Sequence, residues 1–228
     1  MQNFYKIGHR GAAGYAPENT LLSIKKALEL KVDAIEFDIH RCQTGELVVI
    51  HDEKVDRTTD GSGEIVRMSL EKIKTFDAGL GEKIPTLDEV LDLIDGKSKV
   101  NIELKGKGTA KPLADLIVKK IASKKWELSD FIVSSFDRPK LEQFHGLAPD
   151  IWTGIIYTRP RLFFLQKAKK IGVKSIHLSK KFVSRKITEK IHLAGLKLFI
   201  YTVNEPDEIK KIRQLSVDGI FSNFPDRL

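Results

Sequence analysis

Ala34-Ile35-Glu36-Phe37-Asp38-Ile39 carries two carboxylates in alternate positions. Alternate side chains of an extended strand share a face, so Glu36 and Asp38 point one way and Ile35, Phe37 and Ile39 the other. Val100-Asn101-Ile102-Glu103-Leu104-Lys105 repeats the arrangement, with Glu103 and Lys105 opposed to Ile102 and Leu104. Carboxylates on a buried strand lose hydration and repel one another. They need protons, cationic neighbours or a metal. Three of them near strand ends make an oxygen-rich site for a hard cation. The plainer alternative is a set of buried ion pairs with Arg10 and Lys105 as partners. Charged residues are seldom buried without a task, which weighs against it.

The chain has six histidines. His145 and His192 read as packed or surface residues, and His177, inside a strand, also reads as structural. His9 and His51 differ in context. His9 ends the first apolar run and is followed by Arg10-Gly11. His51 ends the return arm of a hairpin that turns near Thr44 and Gly45, which brings it back to the level of Glu36 and Asp38. Two imidazoles beside a carboxylate-held cation form an acid/base pair, because imidazole titrates near neutral pH. Asp52 is placed to orient His51, and His40 lies on the Glu36–Asp38 face but further up. Arg10 and Lys105 supply fixed positive charge, and a guanidinium fork matches phosphate oxygens. The set as a whole points to phosphodiester chemistry, where such cations stabilise a pentacoordinate phosphoryl group. No G-x-x-x-x-G-K-[ST] motif or strand-linked G-x-G-x-x-G occurs, so Gly61-Ser62-Gly63 is a turn and not a nucleotide cradle. No cysteine or histidine spacing supports zinc.

The elements that must hold these residues alternate regularly. Short apolar, β-branched runs fall at 5–8, 34–39, 100–104, 131–135, 153–157, 175–178, 198–203 and 219–221. Helical periodicity fills 19–30, 113–123, 139–144, 161–171, 184–193 and 206–215. Eight strands, most followed by a helix, predict an α/β fold, a closed (β/α)8 TIM barrel, with an open doubly wound sheet as the alternative. A further strand-like run at 46–50 follows the second strand closely with Gly45 between them, so the second strand extends into a hairpin above the barrel. Residues 52–84 read as a small insertion over the barrel mouth, before a helix beginning near Thr86, and residues 1–228 as a single domain. Too little chain follows the last strand for a full eighth helix.

At 228 residues, 41% apolar and 31% charged, the chain suits one sizeable globular core. The lone Cys42 excludes an internal disulfide framework, and no apolar run is long enough to span a bilayer. No signal peptide is visible, which makes the expected location cytoplasmic. The net charge of +8 is carried mostly by lysine, in pairs such as Lys25-Lys26, Lys119-Lys120 and Lys169-Lys170. At helical spacing these read as solvated outer faces and select no partner. Neither nucleic-acid binding nor stable membrane insertion is expected.

These residues resemble the glycerophosphodiester phosphodiesterase family, in ordered motifs over nearly the whole chain. The likeness starts at His9-Arg10-Gly11 and Pro17-Glu18-Asn19-Thr20, and runs through Glu36-Phe37-Asp38, His51-Asp52 and Arg57-Thr58-Thr59-Asp60-Gly61-Ser62-Gly63. It continues with Asp77-Ala78-Gly79, Ile84-Pro85-Thr86-Leu87-Asp88-Glu89, Ile102-Glu103-Leu104-Lys105, Ser134-Ser135-Phe136, Thr202-Val203-Asn204 and Val217-Asp218-Gly219-Ile220. The resemblance implies the phosphodiesterase version of the TIM barrel. It implies His9 and His51 as general acid and base, and Glu36, Asp38 and Glu103 as ligands of one divalent cation, magnesium or calcium. Arg10 and Lys105 correspond to its phosphate-contacting cations. Phe136 and Tyr201 are candidate walls of the substrate pocket, and Asn19 and Thr86 are candidate helix caps. The implied reaction is hydrolysis of glycerophosphodiesters to sn-glycerol 3-phosphate and an alcohol, through a cyclic phosphate. Four positions depart from the family pattern: Tyr201 stands where tryptophan is common, Asn223 where aspartate is usual, and Cys42 and Thr44 where threonine and aspartate are usual. Two alternatives stand beside this reading. One is a lysophospholipase D with an apolar groove from Phe76, Leu80 and Phe136. The other is a non-catalytic phosphodiester-binding module, which would need no acid/base pair.

Overall fold

Each apolar, β-branched run pairs with the next across a helix that hides one apolar face, and the repetition closes a barrel. A computed structural model of the chain describes residues 4–228. In order the elements are β1 (Tyr5–Gly8), α1 (Leu21–Glu29), β2 (Ala34–Arg41), β3 (Leu47–Val49), α2 (Leu70–Thr75), α3 (Leu87–Ile94), β4 (Lys99–Leu104), α4 (Ala110–Ala122) and β5 (Phe131–Ser135). There follow α5 (Arg138–Leu147), β6 (Trp152–Tyr157), α6 (Phe164–Ile171), β7 (Ser175–Ser179), α7 (Arg185–Leu193), β8 (Lys197–Tyr201), α8 (Pro206–Arg213) and β9 (Gly219–Ser222). β1 pairs in parallel with both β2 and β9, so the sheet meets itself. The eight parallel strands form a TIM barrel, and the open-sheet alternative falls away. A final turn, Pro225–Arg227, follows β9.

Register places the chemistry. β2 lies beside β4 with Glu36 opposite Asn101 and Asp38 opposite Glu103. The carboxylates therefore gather at one end of two adjacent strands. The opposite faces of these strands are apolar: Ile35, Phe37, Ile39, Ile102 and Leu104 pack with Ile24 of α1, Leu91 of α3 and Leu113 of α4. Burying a side chain of this size contributes about 1.5–3 kcal/mol. That packing is what holds a strand carrying repelling carboxylates in place.

β2 runs on beyond the barrel to Arg41 and returns as antiparallel β3, with Ile39 opposite Val49 and Arg41 opposite Leu47. The hairpin is where the sequence places it. Beyond it, residues 52–84 cover a small core of their own, with Val55, Ile65, Ile73, Phe76 and Ile84 under Val48 and Ile50 of the hairpin. This segment contains α2, which the apolar spacing does not announce; Ser69 caps it by accepting from the Lys72 N–H. Thr86 caps α3 in a reciprocal capping box with Glu89, an arrangement that contributes about 1 kcal/mol.

Three expectations are corrected. α4 begins at Ala110 instead of 113, because Pro112 sits in its first turn, where no N–H is required. α6 begins at Phe164 instead of 161, because Phe163 holds a left-handed φ of 62°. Lys120 is not on a solvated face: it is buried, and its Nζ reaches Asp88 Oδ1 at 2.8 Å and Asp92 Oδ1 at 2.5 Å on α3. No helix among the described residues is long and apolar enough to cross a membrane.

Candidate active site

The site lies at the C-terminal ends of the barrel strands, the end where loops can be varied without disturbing the core. β1 ends at Gly8, and the turn after it is tight. Arg10 and Gly11 have φ of 52° and 81°. A Cβ on Gly11 would meet Ser23 at 2.5 Å, so only glycine lets the turn approach α1. The turn aims the Arg10 backbone N–H at Glu36 Oε2, 2.9 Å away. Asn19 is also left-handed, at φ 60°. It is not the cap of α1, since Thr20 takes that task by accepting from the Ser23 N–H. Asn19 instead donates to Asp38 Oδ2 at 3.0 Å, which orients that carboxylate. Two non-glycine residues in a sparsely populated conformation therefore both serve the β2 carboxylates.

Glu36, Asp38 and Glu103 are buried, with one oxygen of each within 4.8 Å of the others. Burial, then Asp38 and then Glu103, raises the Glu36 carboxyl well above its ordinary range. Burial and then Asp38 push Glu103 up to about 7. The protein supplies two cations against these three acids. Arg10 Nε stands 3.4 Å from Asp38, and Lys105 Nζ stands 3.1 Å from Glu103 and 4.0 Å from Asp38. No lysine or arginine side chain among the described residues pairs with Glu36; its neighbour is the His9 ring, whose Nε2 is 4.0 Å away. A cluster short of positive charge, built only of oxygens and already gathered to one point, fits a hard divalent cation.

The two histidines face this cluster with different supports. His9 Nδ1 lies 2.7 Å from Asn223 Oδ1. An amide oxygen only accepts, so Nδ1 carries the proton and Nε2 is the atom turned toward Glu36. Burial, reinforced by Arg10, lowers the His9 pKa to about 4. His51 Nδ1 lies 2.5 Å from Asp52 Oδ1, while its Nε2 accepts from Lys105 Nζ at 3.0 Å. The partners again assign the proton to Nδ1. Hydrogen bonding from Arg57, and then from His51, holds the Asp52 carboxyl well below the usual range despite some burial. His40 does not enter the site: its Nε2 donates to the His51 carbonyl at 3.1 Å and so fixes the backbone that carries His51.

Nine of the residues singled out in the sequence meet here: His9, Arg10, Glu36, Asp38, His51, Glu103, Lys105, Phe136 and Tyr201. His9, Glu36, Glu103, Phe136 and Tyr201 line one cavity of about 40 Å³. His51 and Lys105 border an adjoining hollow of about 540 Å³. Phe136 packs edge-on against Tyr201 with centroids 6.0 Å apart, and Lys105 Nζ lies 5.7 Å from its ring. Phe76 is not at the mouth: it is buried beneath Gly61 in the 52–84 segment. His177 is buried inside the barrel and also lines the cavity of about 40 Å³, bonded to Ser175 Oγ at 3.1 Å and packed on Phe199 and Phe221.

Sequence reasoning gave no task to Glu18, Arg57 or Asn223. Glu18 accepts from Arg10 at 2.8 Å and from Arg57 at 2.7 Å, and Arg57 Nε donates to Asp52 at 2.6 Å. The resulting chain, Arg10–Glu18–Arg57–Asp52–His51, ties the β1 turn to the hairpin. The only signal for it was that Glu18 and Arg57 sit inside ordered motifs.

The sequence model of the glycerophosphoryl diester phosphodiesterase family matches residues 9–227. The glycerophosphodiester phosphodiesterase of Caldanaerobacter subterraneus subsp. tengcongensis is 36% identical over 97% of this chain and 95% of its own length. One from Bacillus subtilis is 32% identical over 96% of this chain and 83% of its own. Among solved structures, an Oleispira antarctica phosphodiesterase in complex with the product sn-glycerol-3-phosphate superposes with a TM-score of 0.89 at 29% identity, covering 97% of this chain and 93% of that one.

Proposed function

The chain belongs to the glycerophosphoryl diester phosphodiesterase family, and from that premise we propose that it hydrolyses glycerophosphodiesters to sn-glycerol 3-phosphate and an alcohol. The observation that carries the reading is the pair of imidazoles with Nδ1 held by a partner and Nε2 turned inward, His9 toward Glu36 and His51 onto Lys105, which itself reaches Glu103. A site made only to bind a phosphodiester has no use for two such nitrogens, which speaks against a non-catalytic module.

Glu36, Asp38 and Glu103 would hold one divalent cation, magnesium or calcium. When bound it would supply Lewis-acid charge for a phosphate oxygen and offset the repulsion among the carboxylates. Arg10 and Lys105 bind the remaining phosphate oxygens. Phe136 and Tyr201 wall the cavity against water. One histidine removes the proton of the glycerol 2-hydroxyl at Nε2, the other donates to the departing alcohol oxygen, and a cyclic phosphate forms. Water opens the ring with the roles exchanged. Asp52 backs His51 with a full negative charge, whereas the amide of Asn223 gives His9 none. His51 is accordingly the better supported of the two while it holds a proton, and His9 the less supported.

The experiment is release of sn-glycerol 3-phosphate from glycerophosphocholine and glycerophosphoethanolamine, with magnesium, with calcium and with chelator. Cation-dependent release is expected. The absence of release with every cation would refute the reading. Cleavage of a lysophospholipid in preference to both would move it to lysophospholipase D, an alternative weakened by the burial of Phe76.

A further inference from the structure

From Ile151 to Thr188 the chain carries ten lysines and arginines and no aspartate or glutamate. The net charge of the whole chain is +8, so this stretch accounts for all of the basic excess. Lysine pairs counted one at a time look dispersed; the missing acids are what localise the charge. Lys180 is half-buried and pairs with Glu208. Arg159, Arg161, Lys167 and Lys181 are exposed, and no carboxylate among the described residues pairs with them.

The same stretch exposes large apolar side chains. Leu162 is 77% accessible, Phe163 58% and Phe182 38%. Phe163 is moreover held at φ 62°, a conformation bulky residues rarely take. Strand pairing brings these groups to one place. Tyr157 of β6 lies beside Leu178 of β7, so the segments that follow, 158–163 and 180–184, leave the barrel side by side on the mouth. A groove of about 630 Å³ runs from Phe136 and Ile156, which also line the catalytic cavity, out to Arg159, Arg161 and Leu162.

We propose that this rim is a docking surface for an anionic lipid bilayer. Arg159, Arg161 and Lys181 meet the headgroups, and Leu162, Phe163 and Phe182 enter the boundary with the acyl chains. The combination selects the partner. A nucleic-acid backbone would take the cations but has no place for an exposed leucine beside two phenylalanines. A bilayer interface takes both, and aromatic rings settle at its headgroup level. Attachment of this kind needs no spanning helix and does not depend on the catalytic reading.

The test is flotation of the full-length protein with vesicles of phosphatidylglycerol and phosphatidylcholine, against vesicles of phosphatidylcholine alone. Retention on the anionic vesicles, weakened by salt, is expected. Arg159→Glu with Arg161→Glu should reduce the partition at least about tenfold. Leu162→Ser with Phe163→Gly should reduce it by about as much. Glycine suits the backbone at 163, and thermal unfolding checks both variants; if the apolar one does not fold, the arginine pair decides. Lys25→Glu, on the exposed side of α1, should change little. The proposal is overturned by no retention on anionic vesicles, by equal retention on neutral ones, or by retention that both rim variants leave intact. It is also overturned if the protein binds duplex DNA in place of vesicles.

Discussion

The side of the barrel mouth built by β1 to β4 and the side built by β5 to β8 treat charge in opposite ways. On the first side the charged groups around the site are tied to one another: Arg10 to Glu18 and Asp38, Arg57 to Glu18 and Asp52, Lys105 to Glu103 and His51. On the second side the inner wall includes Phe136, Ile156 and Tyr201, and beyond it Arg159, Arg161, Lys167 and Lys181 are exposed with no carboxylate partner among the described residues. A reaction that moves protons needs donors and acceptors fixed before substrate arrives. A surface that recognises a broad anion needs only density of charge. The network is therefore specific residue by residue, while the rim is defined by what its sequence leaves out.

The comparison breaks first at the histidines. His51→Ala and His9→Ala should each lose about 10²–10⁴-fold in turnover. Calorimetric titration with magnesium should show the cation still bound. Near-normal turnover in either variant would end its assignment as acid or base. The supports of the two should then separate. Asp52→Asn should cost about 10²-fold or more in turnover, because it removes the charge behind an imidazolium, whereas Asn223→Ala should cost only a few-fold. Equal losses would mean that the two histidines carry charge alike.

A smaller effect concerns stability. Three gathered carboxylates repel one another without a cation, so Glu36→Gln should raise the metal-free melting temperature by a few degrees. The same variant should lose the further rise that magnesium gives the natural protein. A lower melting temperature in chelator would show that Glu36 is stabilising in its own right. In the apolar half, Phe136→Ala should raise KM a few-fold and leave kcat nearly unchanged, a division that steady-state kinetics reads directly.

The smallest effect lies inside the barrel. Burial lowers the His177 pKa to about 3 from an ordinary value of 6.5. Between those values the unfolded chain binds a proton that the folded one refuses, so His177 makes stability fall as pH drops below 6.5 and has no such effect above it. His177→Gln should flatten that slope in denaturant titrations between pH 6 and about pH 4. An unchanged slope would place the acid sensitivity elsewhere.

Much of the catalytic half is visible in the chain itself because its residues lie on strands. The alternation that puts Ile35 and Phe37 in the core necessarily puts Glu36 and Asp38 in the barrel, and the same holds for Glu103. The hairpin that returns His51 is announced by Gly45 and the close spacing of two apolar runs. What escapes this logic depends on contacts between distant loops. Asn19 looks like a cap from its neighbours, and only the fold shows it holding Asp38. Arg57 reaches Glu18 across 39 positions of sequence, with no periodicity to reveal it. Helix α2 was hidden because its six residues bury a single side chain, Ile73. Lys120 looked solvated because the acids that receive it sit on another helix.

The extension of β2 into a hairpin has a consequence for how this barrel can be inherited. Glu36, Asp38, His51 and Asp52 lie on one contiguous stretch, and Arg57 closes it. The stretch travels as a cassette: a recombination crossover before residue 34 or after residue 57 passes on two of the three proposed ligands, the proposed proton carrier and its anion together. A crossover at the turn around Gly45 joins one parent's ligands to another parent's histidine, across a ladder whose register the turn sets. Among chimaeras of barrels in this family, intact 34–57 segments should be over-represented among the active ones, and the tip of the hairpin should be the poorest place to splice.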